Sequence, residues 1–146
     1  MKRILPKILL PFFQFYWFVF RPKTAGAKCI VKHENKILMI KNNYGRGNWT
    51  FPGGKIEKDE SPNLAAIREV WEEVEIKISA PQYLGNFLNT REYKRDTIHC
   101  FTATVAGADF KIDPLEITVA QWFSIDQLPK PIGYNAKIIL ELYAKK

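Results

Sequence analysis

Residues 53–76 read GGKIEKDESPNLAAIREVWEEVEI, and no other stretch restricts the fold as tightly. Two glycines open it, Ser61-Pro62 follows, and apolar residues then recur at helical spacing. Serine suits an N-cap, and proline suits the first helical position, where a missing N–H removes nothing; together they predict a helix from residue 61 to about Val74. At about 100° per residue, Leu64, Ile67, Val70, Trp71 and Val74 share one side, which is the expected buried stripe. Glu69, Glu72 and Glu73 fall on the opposite side. Carboxylates at i, i+3 and i+4 repel one another, and the helix dipole disfavours anions near a C-terminus. A solvated acidic face is the plain alternative. A compensating cation explains the cluster better. Hard divalent ions such as Mg²⁺ or Mn²⁺ take oxygen ligands, and no His- or Cys-rich set competes for the role.

The acids stand out because the rest of the chain is basic. Its 146 residues carry a formal net charge of +7, with a pI near 9.4. That surplus suits an acidic partner: a phosphorylated small molecule, nucleic acid or an anionic membrane surface, with plain solubility as the dull alternative. Nucleic-acid binding ranks last, and specific DNA binding lower still, because there is no aromatic–basic stripe and no helix-turn-helix pattern. Cys29 and Cys100 lack metal-type spacing and read as buried free thiols in a reducing, cytoplasmic setting.

Residues 1–22 form a separate apolar segment, and 23–146 read as one domain. The run from Ile8 to Phe20 is interrupted only by Gln14 and contains Pro11. It is too short to span a bilayer. Arg21 and Lys23 stand between the run and Ala25-Gly26-Ala27, which argues against a cleaved secretory signal. Three readings stay open: packing on its own domain, packing on a second subunit as in a homodimer, or peripheral membrane contact through residues 1–20. Beyond Pro22, strands are expected at 27–33, 36–42, 76–79, 82–90, 97–105 and 121–124. Ser124 and Gln127 form a capping-box pair expected to start a short helical turn ended by Pro129, and a last helix is expected over 135–144. The class is α/β with a mixed sheet.

The spacing Gly54, Glu60, Arg68-Glu69-Val70, Glu72-Glu73, Ile76 resembles the Nudix box, G-x5-E-x7-R-E-U-x-E-E-x-G-U, with U bulky and aliphatic. Eight of the nine specified positions match; the departure is Glu75, where the pattern has glycine. The resemblance implies an α/β/α sandwich with the box as loop-helix-loop. It further implies a Mg²⁺- or Mn²⁺-dependent pyrophosphohydrolase acting on a nucleoside diphosphate-linked substrate, such as a nucleoside triphosphate or dinucleoside polyphosphate. Carried onto this chain, Glu69, Glu72 and Glu73 would be metal ligands, with the Gly53 carbonyl as a further one. Glu60 and Arg68 would form the ion pair that steadies the box. Metal ions would neutralise pyrophosphate oxygens and activate a water for attack on phosphorus. Glycine at the Glu75 position would close the helix in the left-handed conformation, so the departure bears on local geometry rather than chemistry.

Family members often take a general base from a loop preceding a late tryptophan. Glu116, six residues before Trp122, is the first choice here and a possible further metal ligand; Glu92 is second and Glu69 third. Arg46, Arg91, Lys94 and Arg95 are loop cations suited to substrate phosphates, and Tyr93 could stack on a base. Two alternatives share the fold: a non-catalytic nucleotide-sensing module and an RNA 5′-pyrophosphohydrolase. Intact Glu69, Glu72 and Glu73 weigh against the first.

Overall fold

In the computed structural model the described residues are 11, 15, 23–91 and 95–146. Six strands, β1 (Lys23–His33), β2 (Lys36–Asn42), β3 (Gly53–Lys55), β4 (Gln82–Asn89), β5 (Arg95–Thr104) and β6 (Ile117–Ser124), form one mixed sheet. The sheet runs β4-β5-β1-β2-β6, with β3 also paired to β1. Only β1 and β5 are parallel. Helices α1 (Pro62–Val74) and α2 (Tyr134–Ala144) cover opposite faces.

Alternation along β1 explains the two cores. Ala27, Cys29 and Val31 point to one face and pack with Leu38, Ile40, Phe101 and the α1 residues Ala65, Ala66, Val70 and Val74. Ile30, with Ile37, Met39, Ile98 and Cys100, points to the other face and meets Ala136 and Ile139 of α2. A strand apolar on both faces belongs in the middle of a sheet covered on both sides, which is where β1 lies. Cys29 and Cys100 are buried free thiols, and burial pushes both up from an ordinary 9.0 to about 12. The folded chain therefore holds two protons that the unfolded chain releases above about pH 9. Their contribution is complete below pH 9 and lost as pH rises toward 12. Unfolding midpoints measured from pH 8 to 11 should fall. At pH 8 a thiol reagent should label neither cysteine until denaturant is added.

Several expectations need correction. The helix begins and ends where predicted, but Leu64 and Trp71 are 55% and 51% exposed, while Glu69 and Glu73 are buried. The helix has turned its carboxylates toward the sheet and its largest aromatic outward. Residues 76–79 form no strand, although Ile76 and Ile78 do enter the core. The three-residue β3 was not expected, and the stretch after Ser124 is a turn rather than a helix; Asp126 and Gln127 donate backbone N–H to the Ser124 side chain and carbonyl. Ser61 occupies the N-cap position, but its hydroxyl donates to Asn63 Oδ1 rather than to the helix backbone.

Glu75 ends the helix with φ 51° and ψ 39°, and its N–H donates to the Trp71 carbonyl. A Cβ at that left-handed geometry costs about 1 kcal/mol. Glu75→Gly should therefore raise the thermal midpoint by a few degrees with the fold unchanged, as read by calorimetry.

Candidate active site

The Gly53-Gly54 turn creates the space into which α1 presents its acids. Pro52 accepts the Cys29 N–H through its carbonyl at 2.9 Å, and the Phe51 carbonyl accepts Lys28 Nζ at 3.1 Å, so β1 holds the turn from below. Gly53 has φ 153°, and an added Cβ would sit 2.1 Å from the Ala27 carbonyl oxygen. An added Cβ on Gly54 would lie 2.7 Å from all three carboxylate atoms of Glu69. These glycines keep the backbone thin enough for two buried carboxylates. Glu73 Oε1 accepts the Gly53 N–H at 2.6 Å, a charge-assisted bond in a buried setting.

Arg68 organises the outer half of the site. Its Nε and Nη2 donate to Glu60 Oε2 and Oε1, both at 2.8 Å, a bidentate pair joining the loop to the helix. Nη2 also donates to the Lys55 carbonyl at 3.0 Å. Nη1 donates to Glu69 Oε1 at 2.8 Å and reaches Glu72 Oε2 at 3.3 Å. The Arg68 bond holds the Glu60 carboxyl below the usual carboxylate range, helped by the Glu57 N–H; the same pairing pushes the guanidinium up. Among the described residues no three His, Cys, Asp or Glu side chains already converge on one point, and Arg68 stands between Glu69 and Glu72. Even so, the donor set is all oxygen, and the space that a Gly54 side chain would take is filled by the Glu69 carboxylate, the kind of ligand a hard cation takes.

Glu116 is buried just before β6, and the backbone brings its segment to the end of α1. Lys111 and Asp113 donate N–H to the Val74 and Glu73 carbonyls, each at 3.0 Å; Glu116 in turn donates to the Asp113 carbonyl at 3.1 Å. The Asn43 N–H, from the loop after β2, donates to the Glu116 carbonyl at 2.8 Å. Arg46 lies exposed farther along that same loop. The loop is tied back at Trp49, whose N–H donates to the Pro131 carbonyl and whose carbonyl accepts from Gly133. Next to Gly133 stands Tyr134, and the Arg91 guanidinium lies 4.6 Å from its ring centre. Arg95 opens β5 and is exposed. Glu92, Tyr93 and Lys94 lie outside the described residues, as does most of the apolar stretch before β1. Lys28 and Tyr134 were not singled out from the sequence. A lysine amid the apolar run from Ala27 to Val31 was the available signal for Lys28; Tyr134 carried none.

The NUDIX domain family model matches residues 22–143. The chain belongs to the NUDIX family. It is 34% identical over 121 residues to an NAD-capped RNA hydrolase NudC of Pectobacterium atrosepticum, covering 79% of this chain and 46% of the relative. The chain thus spans about half the length of that relative. It is 29% identical over 126 residues to diphosphoinositol polyphosphate phosphohydrolase 3-beta of Bos taurus, covering 84% of this chain and 76% of the relative. The crystal structure of a MutT NUDIX hydrolase from Burkholderia pseudomallei superposes with a TM-score of 0.74 at 24% identity, over 83% of this chain and 98% of that one. The NUDIX domain of Shewanella oneidensis NrtR, in complex with ADP ribose, gives 0.74 at 18% identity, over 87% and 90%. These likenesses agree with the mixed sheet between two helices. No helix among the described residues is long and apolar enough to cross a membrane.

Proposed function

We propose that this NUDIX chain is a divalent-metal-dependent pyrophosphohydrolase, using Mg²⁺ or Mn²⁺, that cleaves a nucleoside diphosphate-linked substrate such as a nucleoside triphosphate or dinucleoside polyphosphate. One observation carries the reading: α1 turns Glu69 and Glu73, not its tryptophan, toward the sheet and onto a turn stripped of side chains. A stability-driven sequence would put apolar groups there, because buried carboxylates lose hydration and need compensation. Glu69, Glu72, Glu73 and the Gly53 carbonyl would hold the cation, with Glu116 as a further ligand. When bound, the metal would neutralise pyrophosphate charge and lower the pKa of a water.

The chain's own groups would supply the rest. Glu116, fixed by the backbone bonds of residues 111–116, would accept the proton of the attacking water. The Arg68–Glu60 pair would keep the helix in register with the glycine turn, so that the carboxylates keep their spacing. Arg91, stacked on Tyr134, would turn the edge of its guanidinium to phosphate oxygens, and exposed Arg46 would be a second cation for them. Lys94 and Tyr93 are further candidates for that rim.

The test is a substrate panel with Mg²⁺ and with Mn²⁺: nucleoside triphosphates, dinucleoside polyphosphates, ADP-ribose, nucleotide sugars and 5′-triphosphate RNA. The named relatives add NAD-capped RNA and a diphosphoinositol polyphosphate. Cleavage at a pyrophosphate bond, abolished by EDTA and restored by either metal, is the expected result. Tight nucleotide binding without turnover on any member would replace this reading with a sensing module.

A further inference from the structure

The strand that follows Glu116 is irregular where it joins the sheet. Lys41 pairs with Val119 and Asn42 with Ile117, so Thr118 has no partner on β2 and forms a bulge. The bulge turns the chain over. Val119 packs into the core on the α2 side, and strict alternation would send Ile117 to that same face. Ile117 is instead buried in the core on the α1 side. One extra residue thus re-aims the residues before it, which include Glu116. Asn43, the residue after β2, holds that segment at three points. Its N–H donates to the Glu116 carbonyl at 2.8 Å. Its Nδ2 donates to the Pro114 carbonyl at 2.8 Å, and its Oδ1 accepts the Thr118 hydroxyl at 2.6 Å. The amide fits in this orientation alone, because the Pro114 carbonyl has no hydrogen to give. Aspartate would lack the donor, and leucine would lack both groups. On its other side the segment is tied to α1 through Asp113. The Asp113 N–H donates to the Glu73 carbonyl at 3.0 Å, and the Asp113 carbonyl accepts the Glu116 and Ile117 N–H groups at 3.1 and 2.8 Å. Among the described strands β6 pairs with β2 alone, so no further strand steadies this end.

We propose that Asn43 is a positioning residue for Glu116, fixing that buried glutamate relative to the acids of α1. The proposal rests on the reading of Glu116 as the base. Thr118 is exposed and Asn43 half-buried, so water could replace either side-chain bond at small cost in stability. Water could not keep residues 114, 116 and 118 at fixed distances from one point of β2. That fixed distance is what a base needs, since it removes a proton only from a water within hydrogen-bond reach. With its backbone held from α1 on one side and from β2 on the other, Glu116 keeps only its side-chain torsions, and burial restricts those. Asn43 itself acts only through Glu116.

The test compares Asn43→Ala, Thr118→Val and Thr118→Ser with the parent, each alone and in a Glu116→Gln background. Values of kcat and KM would be measured per folded molecule, at saturating metal, on the substrate that the panel selects. Amide hydrogen exchange would be followed in the metal-free protein. Asn43→Ala is expected to lower kcat by about tenfold, the lower end of what losing an outer-shell partner costs, with KM little changed. Thr118→Val should lose several-fold, and Thr118→Ser, which keeps the hydroxyl, should recover most of that loss. In the metal-free protein Asn43→Ala should exchange faster at residues 115–118, while α1 keeps its protection. In the Glu116→Gln background the same Asn43→Ala change should cost almost nothing more, because the group it places has lost its chemistry. An equal loss with and without Glu116 would overturn the proposal. So would parent kcat in Asn43→Ala beside a crippled Glu116→Gln. Unchanged exchange at residues 115–118 would overturn it without any substrate. Parent activity in Glu116→Gln would instead remove the reading of Glu116 as the base, and the role of Asn43 with it.

Discussion

Glu73→Gln is expected to reduce pyrophosphate hydrolysis by more than about 100-fold while leaving the thermal midpoint near that of the parent. The bound follows from outer-shell partners of metal ligands, whose loss already costs 10- to 100-fold; a group proposed to hold the metal should exceed that. The substitution changes one oxygen to nitrogen at constant shape. Glu73 Oε1 accepts the Gly53 N–H at 2.6 Å, and the glutamine carbonyl can keep that bond. What it cannot keep is the negative charge. Glu72, half-exposed and reached by Arg68 at 3.3 Å, makes the useful comparison: it lies on the rim, so Glu72→Gln should weaken metal affinity more than it lowers turnover at saturating metal. Equal activity of Glu73→Gln and the parent over a full metal titration would remove Glu73 from the ligand set. It would also take with it the argument from buried carboxylates.

The helical stripe shows where the sequence could be read and where it could not. Ser61-Pro62 and the apolar spacing located α1 to the residue, because caps and periodicity are local. The same periodicity put Leu64 and Trp71 in the core, because it assumes that the larger apolar arc is the buried one. Here the buried arc is decided by what lies opposite: a turn of two glycines, a backbone N–H for Glu73 and the Arg68 guanidinium beside Glu69. Small Ala65 and Ala66, with Val70 and Val74, then seat the helix against the β1 face. The resemblance to the Nudix box, by contrast, already implied that Glu60 and Arg68 pair, and the bidentate contact is present. The three-residue β3 had no signature of its own, since a glycine pair reads as a loop until a neighbouring strand supplies its partners. Ile76 and Ile78 looked like a strand for the opposite reason: their alternation is real and buries both, but among the described residues no strand pairs with them. The tie between residues 111–113 and the end of α1 is wholly tertiary and left no mark in the local pattern.

Gly53→Ala should be the most destabilising single substitution in the box, lowering the unfolding free energy by about 3 kcal/mol or more. Two effects combine. At φ 153° a side chain is strained whatever surrounds it, and the new Cβ would stand 2.1 Å from the Ala27 carbonyl oxygen and 2.8 Å from Lys28 Cα. Both neighbours are backbone of the central strand, so neither can swing aside as a side chain would. The turn must lift off β1, weakening the Cys29 N–H to Pro52 bond and shifting the N–H that Glu73 uses. Gly54→Ala separates the two consequences. The atoms nearest its Cβ would be those of the Glu69 carboxylate, at 2.7 Å, which is the far end of a flexible side chain. Gly54→Ala should therefore lose less stability but still lose most metal-dependent turnover, because it pushes aside a proposed ligand. Denaturant titration and hydrolysis at saturating metal, measured on both variants, should rank them in opposite order if normalised to the folded fraction. The same rank in both measurements would mean that the glycine pair serves folding alone, with no separate part in placing Glu69.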